Sequence, residues 1–293
     1  MPRVKEILKK VKKLEIKTNN VVEGLIAGNY RSVFKGRGIE FSEVREYIPG
    51  DDIRTIDWNV TARFNSPFVK EFIEERDLNI YIVFDVSASN DFGYEKSKKE
   101  LGYEIAASIM FAALRNNDNV GLCLFTDCVE RFIQPKKGRR HILRLLRELI
   151  YYKAKSRKTD ISSSLMYIGR IIKKRSILFI ISDYFSEDFE KPLKFLKNRH
   201  DIILVKISDI REEEIPDIGY VFLEDEETGE QIIINTSDVN FINLYKKRFN
   251  ERTNRLIKRM KRLKIDLIHV YTSEPYYIPL RRFFELRQKR IVR

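Results

Sequence analysis

Three residues whose side chains offer oxygen atoms follow an apolar stretch, at every second position. Asp85, Ser87 and Ser89 come directly after residues 78–84, which are rich in Ile, Val and Phe. An apolar run of this length is typical of a buried strand in a parallel sheet. In open α/β sheets, ligands bind just beyond the carboxyl ends of such strands. Oxygen ligands suit hard cations, so the spacing indicates a candidate site for Mg²⁺ or Mn²⁺.

Two further oxygen-bearing residues occupy equivalent positions elsewhere in the chain. Asp183 follows a second buried apolar run, Ser176–Ile181, and Thr159 opens a predicted helix shortly before that run. The carboxyl ends of parallel strands meet at one edge of a sheet, so these residues are expected near the first three. The simpler interpretation is a pair of solvated strand ends, with Thr159 or Asp160 acting only as a helix N-cap.

The elements that must position these residues alternate between strand and helix from residue 78 onward. This alternation predicts an α/β fold with an open, mainly parallel, doubly wound sheet. Residues 1–77 differ. They contain a predicted amphipathic helix over Val4–Leu14 and then a region rich in Gly, Arg and acidic residues around Trp58. The expected organisation is therefore a smaller, β-containing N-terminal region over residues 1–77 and a large domain over residues 78–293.

Charge is distributed in blocks of opposite sign along the 293-residue chain, whose net charge is +13. Basic blocks cover Lys136–Lys158 and Arg248–Lys264, and an acidic block covers Asp209–Glu230. Such alternation favours solvated faces or protein docking over one nucleic-acid groove, so a nucleic-acid partner is not expected. No apolar segment approaches the roughly 20 residues of a membrane span. The charged N-terminus and the two cysteines, which lack metal-binding or redox spacing, predict a cytoplasmic location.

The set Asp85, Ser87, Ser89, Thr159 and Asp183 resembles the metal-ion-dependent adhesion site of von Willebrand factor A-like domains. The resemblance implies that Ser87, Ser89 and Thr159 bind Mg²⁺ directly, while Asp85 and Asp183 act through water. It also implies that a protein partner offers a carboxylate to the last coordination position.

The chain more closely resembles the domain-of-unknown-function family fifty-eight. The similarity is carried by the stretch Gly36–Trp58, above all by Arg45-x-Tyr47-x-Pro49-Gly50-Asp51-Asp52-x-Arg54-x-Ile56-Asp57-Trp58, and by Thr228-Gly229-Glu230 and Tyr277–Phe284. The resemblance implies that the protein acts together with a MoxR-type AAA+ ATPase in the chaperone-like maturation or remodelling of other proteins. No enzymatic activity is established for that family, so a docking adaptor is expected rather than an enzyme.

Two alternatives remain open on the sequence. A metal-dependent phosphoesterase would use the same acids, but phosphatases of the haloacid dehalogenase type carry Asp-x-Asp, and Ser87 stands at the second position. The general base or nucleophile would then have to be Ser87 or Asp160, neither of which has an evident activating partner. A nucleic-acid-binding protein would instead use the basic block Lys136–Lys158.

Overall fold

The computed structural model describes residues 11–16, 18, 22, 38–64, 66–75, 78–93, 96–186, 188–224 and 229–291. The chain separates into two compact units, one formed by Phe34–Leu78 and the other by Met1–Val33 together with Asn79–Arg293. The sequence-based division between residues 77 and 78 stays a prediction. Of the predicted N-terminal helix, residues 11–16 are helical, and the part before residue 11 lies outside the described residues.

The larger unit alternates strands and helices as its sequence pattern predicts. Its strands are β3 (Asn79–Asp85), β4 (Asn119–Phe125), β5 (Val129–Lys136), β6 (Ile177–Ser182), β7 (Asp201–Ser208), β8 (Tyr220–Glu224), β9 (Gln231–Asn235) and β10 (Asp266–Tyr271). Its helices are α2 (Lys98–Arg115), α3 (Arg139–Tyr151), α4 (Ile161–Ile171), α5 (Glu190–Lys197), α6 (Ile210–Glu213), α7 (Val239–Leu263) and α8 (Tyr277–Ile291).

Six of these strands form one sheet in the order β10-β7-β6-β3-β4-β5. All neighbours are parallel except β5, which pairs antiparallel with β4 at one edge. The strand order reverses between β3 and β6, because the chain first extends the sheet on one side of β3 and then returns to the other. This point is the switch in topology at which α/β sheets bind ligands. The predicted fold class is confirmed.

The two faces of the sheet are covered by different helices, because successive side chains of a strand point to opposite faces. On one face, Tyr81 and Val83 belong to a buried apolar cluster with residues of α4, α5 and α7. On the other face, Phe84 packs against α2, and a Cβ atom on Gly102 would lie 2.7 Å from the Phe84 ring. Glycine at this position therefore allows α2 to approach β3 closely.

Strands β8 and β9 form a separate antiparallel hairpin, in which Tyr220 pairs with Asn235 and Glu224 with Gln231. The sequence predicts a hairpin here, because Glu227-Thr228-Gly229-Glu230 separates two apolar runs. The strand pairing confirms it, and residues 225–228 of the turn lie outside the described residues. Across the part of the chain that the structure describes, no helix is both long and apolar enough to cross a bilayer.

The smaller unit contains β1 (Gly38–Glu46), α1 (Trp58–Phe64) and β2 (Phe68–Glu75), with β1 and β2 antiparallel. The arginine and acidic residues of this region form ion pairs, with Arg45 paired to Asp51 at 2.7 Å and Lys70 to Asp57 at 3.4 Å. Trp58 is the first residue of α1 and is 67% exposed.

Candidate metal site

Asp85 is the centre of the candidate site and lies at the carboxyl end of β3. Its side chain is fully buried, and both carboxylate oxygens accept hydrogen bonds. Oδ1 accepts from the Ser87 amide at 3.0 Å and from the Ser87 hydroxyl at 2.6 Å, while Oδ2 accepts from the Ser182 hydroxyl at 2.7 Å. These donors fix the carboxylate in place, so it can support neighbouring ligands better than it can move to bind a cation itself.

The two serines lie together on a short turn. A 3-10 segment, Ala88–Asp91, follows Ser87 and brings the Ser89 hydroxyl to 3.2 Å from the Ser87 hydroxyl. Mg²⁺ binds oxygens at about 2.1 Å in octahedral geometry, which places adjacent ligands roughly 3 Å apart. The two hydroxyls therefore have the separation of neighbouring octahedral ligands, and Asn90 closes the turn by donating to the Asp85 carbonyl at 3.3 Å.

Thr159 lies on a loop that hydrogen-bonds to the serine turn. The Ala88 amide donates to the Arg157 carbonyl at 3.3 Å, and the Asp160 amide donates to the Thr126 carbonyl at 3.1 Å. Asp160 is the N-cap of α4, because its carboxylate accepts from the Ser163 amide at 2.9 Å. Asp160 therefore takes the N-cap role that the sequence left open between it and Thr159, and the half-buried Thr159 directly precedes it.

Glu130 holds this loop in place and was not found by the sequence analysis. Its carboxylate accepts from the Thr126 hydroxyl at 2.7 Å, from the Tyr152 hydroxyl at 3.0 Å and from the Lys155 and Ser156 amides at 2.9 and 3.2 Å. Burial acts to raise the pKa of Glu130, but these donors outweigh it and hold the pKa below its usual range. No sequence pattern marks a lone glutamate on an edge strand as an anchor.

Asp183 directly follows β6 but is engaged differently from Asp85. Its Oδ2 accepts from the Lys98 ammonium at 2.9 Å, and both side chains are 1% exposed. Lys98 also donates to Glu212 at 2.6 Å, and Lys206 donates to the Asp183 carbonyl at 2.7 Å. The edge of the sheet formed by the carboxyl ends of its parallel strands, called its crest below, therefore carries a buried network of two cations and two acids beside the serine turn.

The two aspartates differ in pKa because of these surroundings. Burial, reinforced by the nearby Asp183 carboxylate, raises the pKa of Asp85 to about 6. Burial also acts to raise the pKa of Asp183, but Lys98 and Lys206 outweigh it, and this pKa lies below its usual range. Both carboxyl groups are therefore mainly ionised at neutral pH, and the charge of Asp183 is compensated from inside the protein.

The donor set fits Mg²⁺ in part. Ser87, Ser89 and Thr159 offer hydroxyl oxygens, and Asp85 supports Ser87 as an outer ligand would. Asp183 fits less well because Lys98 already neutralises it. Within the described ranges, no three His, Cys, Asp or Glu side chains form a metal-binding group, so the candidate site depends on hydroxyl oxygens.

The same geometry disfavours hydrolysis. Ser87 is fully buried and donates to a carboxylate, and Asp160 is occupied as a helix cap. Neither residue is placed as an accessible nucleophile or general base, which a phosphoesterase of this kind would need.

Comparisons with known proteins place the chain in a family. The model of the family described as "Protein of unknown function DUF58" matches residues 43–255. An uncharacterized protein of Mycobacterium tuberculosis strain H37Rv is 31% identical over 220 residues, covering 74% of this chain and 69% of that protein.

Two solved structures with low sequence identity are also similar. BatB from Bacteroides thetaiotaomicron gives a TM-score of 0.48 at 14% identity, covering 72% of this chain and 99% of that one. The SpRpn10 VWA domain gives a TM-score of 0.40 at 11% identity, covering 69% of this chain and 93% of that one. On the strength of the family match and the mycobacterial relative, the chain belongs to the DUF58 family.

Proposed function

We propose that this chain is a protein-docking adaptor of the von Willebrand factor A type that depends on Mg²⁺ or Mn²⁺. Ser87, Ser89 and Thr159 would hold the cation, with Asp85 behind them. The observation that carries the proposal is the hydrogen-bonded arrangement of Asp85, Ser87 and Ser89 at the topological switch of the sheet. A bound cation would supply a concentrated positive charge with an open position for the carboxylate of a protein partner.

The protein's own contribution is rigidity. Three hydrogen bonds fix the Asp85 carboxylate, Asn90 closes the serine turn, and Glu130 anchors the loop before Thr159. A preorganised site loses less entropy when a partner binds, so a single carboxylate contact contributes more to affinity. In this proposal, Asp183 contributes little charge to the cation, because its carboxylate is paired with Lys98.

The partner is proposed from the family resemblance. We place the adaptor in the cytoplasm with a MoxR-type AAA+ ATPase, acting in the maturation or remodelling of client proteins. An ATPase that presents an exposed aspartate or glutamate would satisfy the open position described above.

Calorimetric titration of Mg²⁺ and Mn²⁺ into the metal-stripped protein tests the site. Saturable binding is expected in the wild type and its loss in Ser87→Ala and Asp85→Ala. Ser108→Ala is the matched control, because Ser108 is also fully buried and donates to a backbone carbonyl far from the site. Circular dichroism verifies that each variant folds. Equal binding by Ser87→Ala and Ser108→Ala would overturn the assignment.

The docking step needs its own measurement. Binding of a purified MoxR-type ATPase is measured in Mg²⁺ and in EDTA, with the wild type and Ser87→Ala. Binding that requires both Mg²⁺ and the Ser87 hydroxyl supports the adaptor function. Binding of equal strength in EDTA contradicts docking through the metal.

A further inference from the structure

Three arginines form a row along one flank of α7. Arg252, Arg255 and Arg259 are spaced three and four residues apart, so they lie on the same side of the helix. They line a cleft together with Leu256 of the same helix and with three residues of the loop after β6, namely Tyr184, Ser186 and Phe189.

The arginine row carries positive charge that the described protein does not neutralise. None of the three guanidinium groups pairs with a carboxylate that the structure describes, whereas Arg262 on the same helix pairs with Glu190 at 2.8 Å. The Arg252 guanidinium lies 4.8 Å from the centre of the Phe185 ring, so this arginine contacts the loop after β6 through an aromatic face and not through a carboxylate. Cations gathered around one wall of a cleft attract an anionic ligand.

The shape of the cleft distinguishes between anionic ligands. Tyr184, Phe189 and Leu256 form its floor and are only 4, 6 and 8% exposed. Single-stranded nucleic acid binds through aromatic faces on which bases stack, and these buried rings offer none. The row spans seven helical residues, which is about 10 Å. About three residues of an extended peptide cover that length, so acidic side chains near one another in sequence would reach all three arginines.

The cleft begins beside the candidate metal site, since Tyr184 directly follows Asp183 in the chain. We propose that the arginine row of α7 binds an acidic segment of the protein partner, as a second contact next to the metal. This inference rests on the proposed docking function and specifies the chemistry of the partner: a carboxylate for the cation and further acidic residues for Arg252, Arg255 and Arg259.

Fluorescence anisotropy in EDTA tests the cleft without the metal. The probe is a labelled peptide with glutamate at alternate positions, compared with the same peptide carrying glutamine. The wild type is expected to bind only the glutamate peptide. The triple variant Arg252→Gln, Arg255→Gln, Arg259→Gln is expected to bind it at least about tenfold more weakly, because three charge-assisted contacts are lost.

The matched control removes the same charge from exposed positions of the same helix that do not line the cleft, through Lys247→Gln, Lys258→Gln and Lys261→Gln. Its affinity is expected to stay within about twofold of the wild type, because exposed charges that touch no ligand act only weakly. A single Arg255→Glu variant repeats the test at an exposed position that cannot disturb the core. Equal weakening in both triple variants would overturn the proposal, since net charge alone would then explain binding.

Two further arms separate this proposal from its rivals. In the first, the proposal is overturned in favour of nucleic acid if the wild type binds single-stranded RNA more tightly than the glutamate peptide and the triple arginine variant loses that RNA binding. Peptide binding by Ser87→Ala in EDTA is expected to equal that of the wild type. If the wild type binds the peptide through the arginines but shows no Mg²⁺ titration, the metal function fails while the arginine-lined cleft stands as a site for acidic peptides.

Discussion

The Lys98 ammonium and the Asp183 carboxylate form an ion pair of 2.9 Å in which both side chains are 1% exposed. Lys98 lies in the first turn of α2, where the helix dipole disfavours a cation. Asp183 and Glu212 together offset that cost and hold the pKa of Lys98 above its usual value despite burial. The carboxyl edge of the sheet therefore has two different halves. The turn with Ser87 and Ser89 can bind an external cation, whereas Asp183 beside it is already paired with the protein's own cation, Lys98.

Replacing Lys98 by Met should strongly destabilise the protein. The substitution leaves two acids, Asp183 and Glu212, without their cation in a buried site. We expect a loss of about 3–5 kcal/mol in the free energy of unfolding, measured by urea denaturation. Adding Asp183→Asn to Lys98→Met should recover part of the loss. Lys246→Met removes a solvent-exposed pair with Glu214 and should cost much less. Equal losses in Lys246→Met and Lys98→Met would contradict a special role for the buried pair.

The two strand-end aspartates should differ in their effect on metal binding. Asp85→Asn removes the carboxylate that accepts the Ser87 hydroxyl, and Mg²⁺ binding should be lost in calorimetry. Asp183→Asn removes a carboxylate already neutralised by Lys98, so the affinity for Mg²⁺ should change by no more than about threefold. A loss of binding in both variants would show that Asp183 acts on the metal despite its ion pair.

Glu130 should affect the metal site without touching it. Glu130→Gln weakens the anchor of the loop that leads to Thr159, because an amide cannot accept all the hydrogen bonds that the carboxylate accepts. The affinity for Mg²⁺ should fall about tenfold, as it does when a supporting group behind a metal ligand is removed. Glu148→Gln is the control, since Glu148 pairs with Arg131 of β5 and with Arg147 of its own helix α3. The idea fails if calorimetry gives both variants the affinity of the wild type.

His200 should make stability fall in acid. Burial, together with the nearby Arg199 cation, lowers the pKa of this imidazole to about 4, from 6.5. Between these values the unfolded chain binds a proton that the folded protein does not, so the contribution is complete above pH 6.5 and is lost as the pH falls towards 4. Between pH 7 and pH 5 the free energy of unfolding should decrease by roughly 2 kcal/mol from this residue. Urea denaturation of His200→Gln should show a smaller decrease, and an identical slope would exclude His200 as the cause.

The sequence by itself determined the sheet and the position of its crest. Short apolar runs such as residues 78–84 are typical of buried strands in an α/β fold. The residue after each run then lies at the carboxyl edge of the sheet. Local hydrogen-bonding rules predicted the cap of α4, the hairpin of β8 and β9, and the grouping of Asp85 with Ser87 and Ser89. These features follow from neighbours within a few positions of one another.

Only the tertiary structure decided what each acid contacts. Lys98 and Asp183 are 85 positions apart, and Lys98 and Glu212 are 114 apart, so no periodicity or spacing reveals that they meet. The same holds for Glu130, which reaches Lys155 across the end of the sheet, and for Arg252, whose partner ring belongs to another loop. Electrostatic compensation depends on distance in space, and a folded sheet brings together at its crest the ends of strands that are far apart in the chain.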